Sequence, residues 1–245
     1  LFQLAVPAMV CSAAGGYRGR QYQVLVEGTY FINRLFATVE LIDKTIIDVG
    51  YVGVVVSYIG PKGVDSTGDS YKHGELVERG FRGVWIDPLM PGKYAFNTYA
   101  GKIIRVPTTN IILKWISSQM GAHLYDENLK EVSLITKDAF EPSLPLSVVM
   151  HISYLKAPLV IQRFGDIKML VDQTLDPMVS AYFKNIGQTK TLIQLIQERN
   201  DIQNSASNEM KAKFDHYNLE LEEVLIGTPS ASANEVTRCD ADPRT

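Results

Sequence analysis

The stretch Leu146-Ser-Val-Val-Met-His-Ile-Ser-Tyr154 decides the fold class, because the residue period changes just beyond it. Val148, Met150, Ile152 and Tyr154 recur at every second place, as along a half-buried strand. From Ala157 the step lengthens to three and four. Ile167, Leu170, Val171, Met178, Val179, Tyr182, Phe183 and Ile186 form one apolar stripe of a helix. Asp176-Pro177 starts a new helix or kinks a longer one, and Asn185-Ile-Gly187 reads as a break. A second helix starts at Thr189 or Thr191, with Leu192, Leu195, Ile202, Ala206, Met210 and Phe214 among its apolar stripe. Leu219-Glu-Leu-Glu-Glu-Val-Leu-Ile-Gly227 returns to a strand pattern. Strand, two helices and returning strand predict an α+β fold. The last strand is expected beside residues 146–154, with both helices on one face.

Upstream of this stretch the chain is β-rich. Residues 46–57 are dense in β-branched side chains and read as one or two buried strands. Residues 61–78 read as a long loop, and strand patterns continue over 101–106, 110–116 and 131–136. Within this half lies a repeat. Gly16-Tyr-Arg-Gly19 is followed by Leu25, Gly28, Tyr30 and Asn33; Gly80-Phe-Arg-Gly83 is followed by Leu89, Gly92, Tyr94 and Asn97. One constant shift relates the two sets, carrying Gly16 to Gly80 and Asn33 to Asn97, and Val39 and Ile103 keep it. The spacing predicts a duplicated β unit. Its turns are assigned to Gly16, Arg18, Gly19 and Gly28 in the first copy and to Gly80, Arg82, Gly83 and Gly92 in the second. Gly-x-x-Gly without a following Lys-Ser/Thr, and without a helix after it, is no P-loop. Arg18 and Arg82 are read as bracing their turns, with anion binding as the alternative.

The 245 residues carry a net charge of −3, 46% hydrophobic and 21% charged residues, which suits a folded chain with a substantial core. That near-neutral balance argues against a broad nucleic-acid surface. No run approaches the roughly 20 apolar residues of a membrane span. The first residue is Leu1, not Met, so the chain reads as part of a longer one. Residues 1–10 read as a strand or irregular segment, the alternatives being a signal-peptide remnant or the trimmed end of a membrane anchor within 1–12.

Catalytic and metal patterns are not found. His73, His123, His151 and His216 show no i, i+4 pair and no His-Glu-x-x-His run. There is no Gly-x-Ser-x-Gly elbow. Cys11 and Cys239 lie near the ends with no adjacent His. Asp126-Glu127 and Glu222-Glu223 are neighbours, which a strand projects to opposite faces. Trp85 and Trp115 are read as packing residues. The expectation is no catalytic residue, no metal and no cofactor.

Several strings resemble the SPFH, or Band 7, family of stomatins, prohibitins and flotillins. Val49-Gly-Tyr-Val-Gly-Val-Val-Val-Ser57 resembles its opening strand, and Gly80-Phe-Arg-Gly-Val-Trp85 with Pro88-Leu-Met-Pro-Gly-Lys-Tyr94 its Gly-rich hairpin. Leu134-Ile-Thr-Lys-Asp-Ala139 and the strand after it resemble its core. Thr191-Leu-Ile-Gln-Leu-Ile-Gln-Glu-Arg199 and Glu223-Val-Leu-Ile226 resemble the following helix and closing strand. The nearest likeness is to long bacterial members with an extra N-terminal β unit. The expected organisation is a β unit at 1–45, an SPFH/Band 7-like domain at 46–227 (β-rich over 46–116, α+β over 130–227) and a disordered tail at 228–245.

The resemblance implies a non-enzymatic, membrane-associated scaffold. Such proteins form homo-oligomers, contact membrane lipids through an N-terminal anchor, organise microdomains and hold partners such as membrane proteases, with no nucleic acid. The alternative is a soluble shell or binding module of a large assembly using tandem β repeats; an enzyme with a β-domain site is the third reading.

Overall fold

The computed structural model describes residues 2–6, 19–33, 35, 37–68, 75–116 and 125–230. The chain divides into two compact units, Leu1–Val106 with Ala157–Gln162, and Pro107–Lys156 with Arg163–Thr245.

The first unit is built from the repeat. Its first copy is a three-stranded sheet of β1 (Phe2–Val6), β2 (Gly19–Leu25) and β3 (Thr38–Leu41), in the order β2-β1-β3. Its second copy comprises β4 (Thr45–Ile47), β5 (Tyr51–Ser57), β6 (Leu76–Val77), β7 (Gly83–Trp85), β8 (Gly92–Tyr94) and β9 (Gly101–Pro107). There the order is β6-β7-β5-β9, and β4 pairs separately with β8.

The two copies share their register. Phe2 pairs with Leu25 and Val6 with Gly19; Gly53 bridges Leu89 and Ser57 pairs with Gly83. One shift therefore carries the central strand from copy to copy (Phe2 to Gly53, Val6 to Ser57). A longer one carries its partner (Leu25 to Leu89, Gly19 to Gly83), and the surplus is extra chain between β5 and β7, which carries β6. A register irregularity falls at the same place in both copies, between Gln3 and Ala5 in the first, and between the Gly53–Leu89 and Val56–Val84 pairs in the second. Both asparagines of the motif close the same turn. Asn33 Oδ1 accepts from Leu35 N at 3.0 Å, and Asn97 Oδ1 from Tyr99 N at 3.1 Å, the side chain imitating a backbone turn.

The second unit carries a sheet of β10 (Ile111–Trp115), β13 (Leu146–His151) and β14 (Glu220–Ile226), with β13 in the centre and all pairs antiparallel. A separate hairpin pairs β11 (Val132–Ser133) with β12 (Ser143–Leu144). The alternation read in the sequence holds: Leu146, Val148 and Met150 are buried while Ser147, Val149 and His151 are half-buried. The last strand rejoins residues 146–151, as expected.

The helical segment comprises α1 (Ala157–Phe164), α2 (Ile167–Leu170), a π-helical turn over Val171–Leu175, α3 (Asp176–Thr189), α4 (Leu192–Gln197) and α5 (Arg199–His216). Ile202, Ala206, Met210 and Phe214 of α5, one helical row, are buried, and α5 packs on β14. Thr191 caps α4 in a capping box with Gln194. At the end of α5, Asn218 takes φ 61° while Leu219 N reaches Phe214 O and Asn218 N reaches Asp215 O. That is a Schellman close, with Asn in the left-handed position, and it turns the chain into β14.

Several expectations change. Leu76–Val77, inside the expected loop of 61–78, is a strand paired parallel with β7. Gly187 does not break a helix: α3 runs through it to Thr189. A Cβ at Gly187 would lie 2.9 Å from Leu134 Cδ1 and 3.2 Å from Ile135 O, so this glycine admits close approach of the chain at 134–135. Glu222 and Glu223 do not alternate. The β13–β14 register shifts between Val149 and Met150, placing Glu222 as the extra residue of a bulge, and both glutamates are exposed. Ile111–Trp115, grouped by sequence with 46–116, pairs with β13 in the second unit. At the far end Ser230 exchanges two backbone hydrogen bonds with Ser143, at 2.9 and 3.0 Å; the rest of the expected tail, 231–245, lies outside the described residues.

Candidate assembly surfaces

Gly16 and Arg18 lie outside the described residues, and Gly19 opens β2. Gly83 opens β7 at φ 139°, with Glu75 O only 2.6 Å from where a Cβ would stand; a side chain there meets both a left-handed backbone and a carbonyl. Gly80 ends the preceding turn, and Arg82 is exposed, its backbone N–H donating to Pro61 O at 3.0 Å. Gly28 and Gly92 have matching surroundings. A Cβ at Gly28 would touch the Tyr30 ring at 3.2 Å, and one at Gly92 the Tyr94 ring at 3.4 Å. Tyr94 donates to Met90 O at 2.7 Å.

The copies differ in what surrounds these turns. In the second, Val55, Val77 and Trp85 form a core, with Phe81, Leu89, Phe96 and Ile103 packed against it. Trp85 Nε1 donates to Phe81 O at 3.0 Å, and the Arg79 guanidinium sits 5.7 Å from the Trp85 ring. In the first, a cleft of about 730 Å³ opens between Leu25, Gly28, Tyr30, Ile32 and Val39. Leu41, which also lines it, is 70% exposed, and in the same copy Phe31 is 99% and Leu35 83% exposed. The counterparts of the cleft residues in the second copy line two smaller clefts. Leu89, Tyr94 and Phe96 line one of about 480 Å³, which Val24 of the first copy also lines. Phe96 and Ile103 line another of about 360 Å³. Tyr99 donates to Glu40 Oε1 at 2.9 Å, tying the second copy to the end of β3.

In the second unit the charged groups pair at the surface. Lys156 hydrogen-bonds Glu220 at 2.9 Å, with His151 Nε2 4.0 Å from the same carboxylate; that hydrogen bond holds the Glu220 carboxyl below its usual range. Lys168 does the same to Glu127 at 2.8 Å and is itself held up by it. A hydrogen bond from Thr136 lowers Asp138, which also accepts from Leu192 N at the start of α4. Trp115 is fully buried and donates to Asp176 Oδ1 at 2.8 Å, so both tryptophans pack as read. Among the described residues no group of three or more His, Cys, Asp or Glu could hold a metal ion. His73, His123, Cys11 and Cys239 lie outside them.

Sequence reading did not identify the exposed faces. The signal was present in Tyr30-Phe31-Ile32 and Leu35, yet pattern alone does not say which side of a strand unit another segment covers. No helix among the described residues is long and apolar enough to cross a membrane. The family model of the SPFH domain / Band 7 family matches residues 45–238. No curated protein matches the chain.

Proposed function

Because the chain belongs to the SPFH domain / Band 7 family, whose members are commonly membrane-associated scaffolds and generally not enzymes, we propose that it is a non-enzymatic subunit that assembles laterally at a membrane surface. In that role it organises membrane microdomains or holds membrane proteins, membrane proteases among them. The observation that carries this reading is the family match over 45–238, on an α+β fold. Lateral packing of identical copies uses two different patches per subunit and closes into a ring when the rotation permits. Many copies on one bilayer add avidity that a single contact lacks.

The test is fractionation of the full-length natural protein from its own cells. Membrane-associated particles of many subunits, seen by electron microscopy after gentle extraction, are the expected result. A monomer recovered free of membrane ends the proposal. The duplicated strand register favours a second reading, a shell or binding module made from tandem β units. It predicts large assemblies that stay behind when lipid vesicles float in a density gradient.

A further inference from the structure

The second β copy has an element with no counterpart among the described residues of the first. Thr45–Ile47 pairs antiparallel with Gly92–Tyr94, Thr45 opposite Tyr94 and Ile47 opposite Gly92. It then enters β5 through a tight turn, where Tyr51 N donates to Asp48 O at 3.1 Å and Gly50 takes φ 91°. The residues equivalent to Gly92–Tyr94 are Gly28–Tyr30. Among the described residues no strand pairs with them, and the 730 Å³ cleft lies against them.

The shift that relates β1 to β5, Phe2 to Gly53, places the equivalents of Thr45–Ile47 five to seven positions ahead of Leu1. We infer that Gly28–Tyr30 is an open strand edge, and that it takes an extended segment joined ahead of Phe2, antiparallel, through a turn of the Asp48–Gly50 kind. An uncovered edge offers unpaired N–H and C=O groups to an incoming strand.

The register also fixes the size of one residue in that segment. Ile47 is 2% exposed and lies over Gly53, where a Cβ would stand 2.4 Å from Ile47 Cδ1 and 2.9 Å from Ile103 Cγ2. Gly53 makes room for Ile47. Its equivalent in the first copy is Phe2, which is not a glycine. By the register alone, the inferred segment over Gly28–Tyr30 takes a small residue where β4 carries Ile47.

The experiment fuses a seven-residue copy of 45–51 ahead of Leu1 of the full chain. One version keeps Thr-Ile-Ile-Asp-Val-Gly-Tyr, the second has Ala at the third place, and a Gly-Ser extension of equal length is the control. Backbone amide exchange is read at residues 28–30. The Ala version slows exchange by on the order of tenfold or more over the Gly-Ser control, and the Ile version slows it less. Exchange in the Ala version equal to that of the Gly-Ser chain overturns the edge assignment. Equal protection by the Ile and Ala versions overturns the size rule. Protection of the unextended chain that grows with protein concentration also overturns the inference, because a second copy then covers the edge.

Discussion

The two β copies share a strand order, a register and an Asn-closed turn, but they differ at the residues that make the second copy's core. Against Trp85 of the second the first has Gln21, and against Phe81 it has Tyr17. Val77, on β6, belongs to the extra chain that the first copy lacks. Turn residues and strand pairing thus suffice to set the architecture of the repeat. The second copy's core rests on an insertion, which supplies Val77, and on one large aromatic, Trp85. The first copy keeps apolar positions, such as Tyr30 and Val39, that its described strands leave uncovered, each 42% exposed. Tyr94 and Ile103, at the same places, are half-buried.

Substitutions at equivalent places sharpen or break this contrast. The largest effect is expected at Trp85. Trp85→Ala removes the side chain around which Phe81, Leu89 and Phe96 gather and costs about 3–5 kcal/mol in urea unfolding. A loss below about 1 kcal/mol would show that the second copy does not depend on that core. The asparagine pair comes next. Asn97 is 7% exposed and Asn33 exposed, so Asn97→Ala costs about 1–3 kcal/mol and Asn33→Ala only about 0.5 kcal/mol. Equal losses would mean that the turn, not its burial, sets the energy.

On the open face the expected stability change is smaller still. Phe31→Ser alters unfolding by no more than about 0.5 kcal/mol, while binding of a hydrophobic dye falls. A strong destabilisation would place Phe31 inside a contact. The smallest effect concerns Glu27, just after β2, which is hydrogen-bonded by Lys44 from the link between the copies. That bond holds the Glu27 carboxyl below its usual value. A lowered carboxyl stabilises the fold above its unfolded pKa and loses that contribution as pH falls through the lowered one. Glu27→Gln should therefore give a slightly lower melting midpoint than the native chain at pH 7 and the same midpoint in strong acid. A gap that widens on acidification would reverse the sign of the interaction.

Much of the fold was legible because its cues are local. The repeat shows in its glycines and asparagines, whose turn geometry depends on near neighbours. Strand against helix shows in the period, two before Tyr154 and three to four after Ala157. What the sequence hid was decided by distant partners. Gly187 has the look of a stop, yet Leu134 and Ile135, far back in the chain, explain it. Glu222 and Glu223 obey alternation until a bulge against Val149 and Met150 interrupts it. Leu76–Val77 is a strand only because β7 lies parallel beside it. The candidate surfaces were less legible than the fold for the same reason. An open edge is defined by the absence of a partner, and sequence spacing carries no record of that.

The second unit's sheet has its middle strand at 146–151 and its flanking strands at 111–115 and 220–226. A chain leaving the ribosome can complete β1–β3 as soon as Leu41 emerges. The second sheet must wait for Ile226, and until then β13 lacks one neighbour and α5 has no seat. Non-local pairing of this sort folds slowly, so synthesis itself orders the two units in time, the β repeat first and the helical part last.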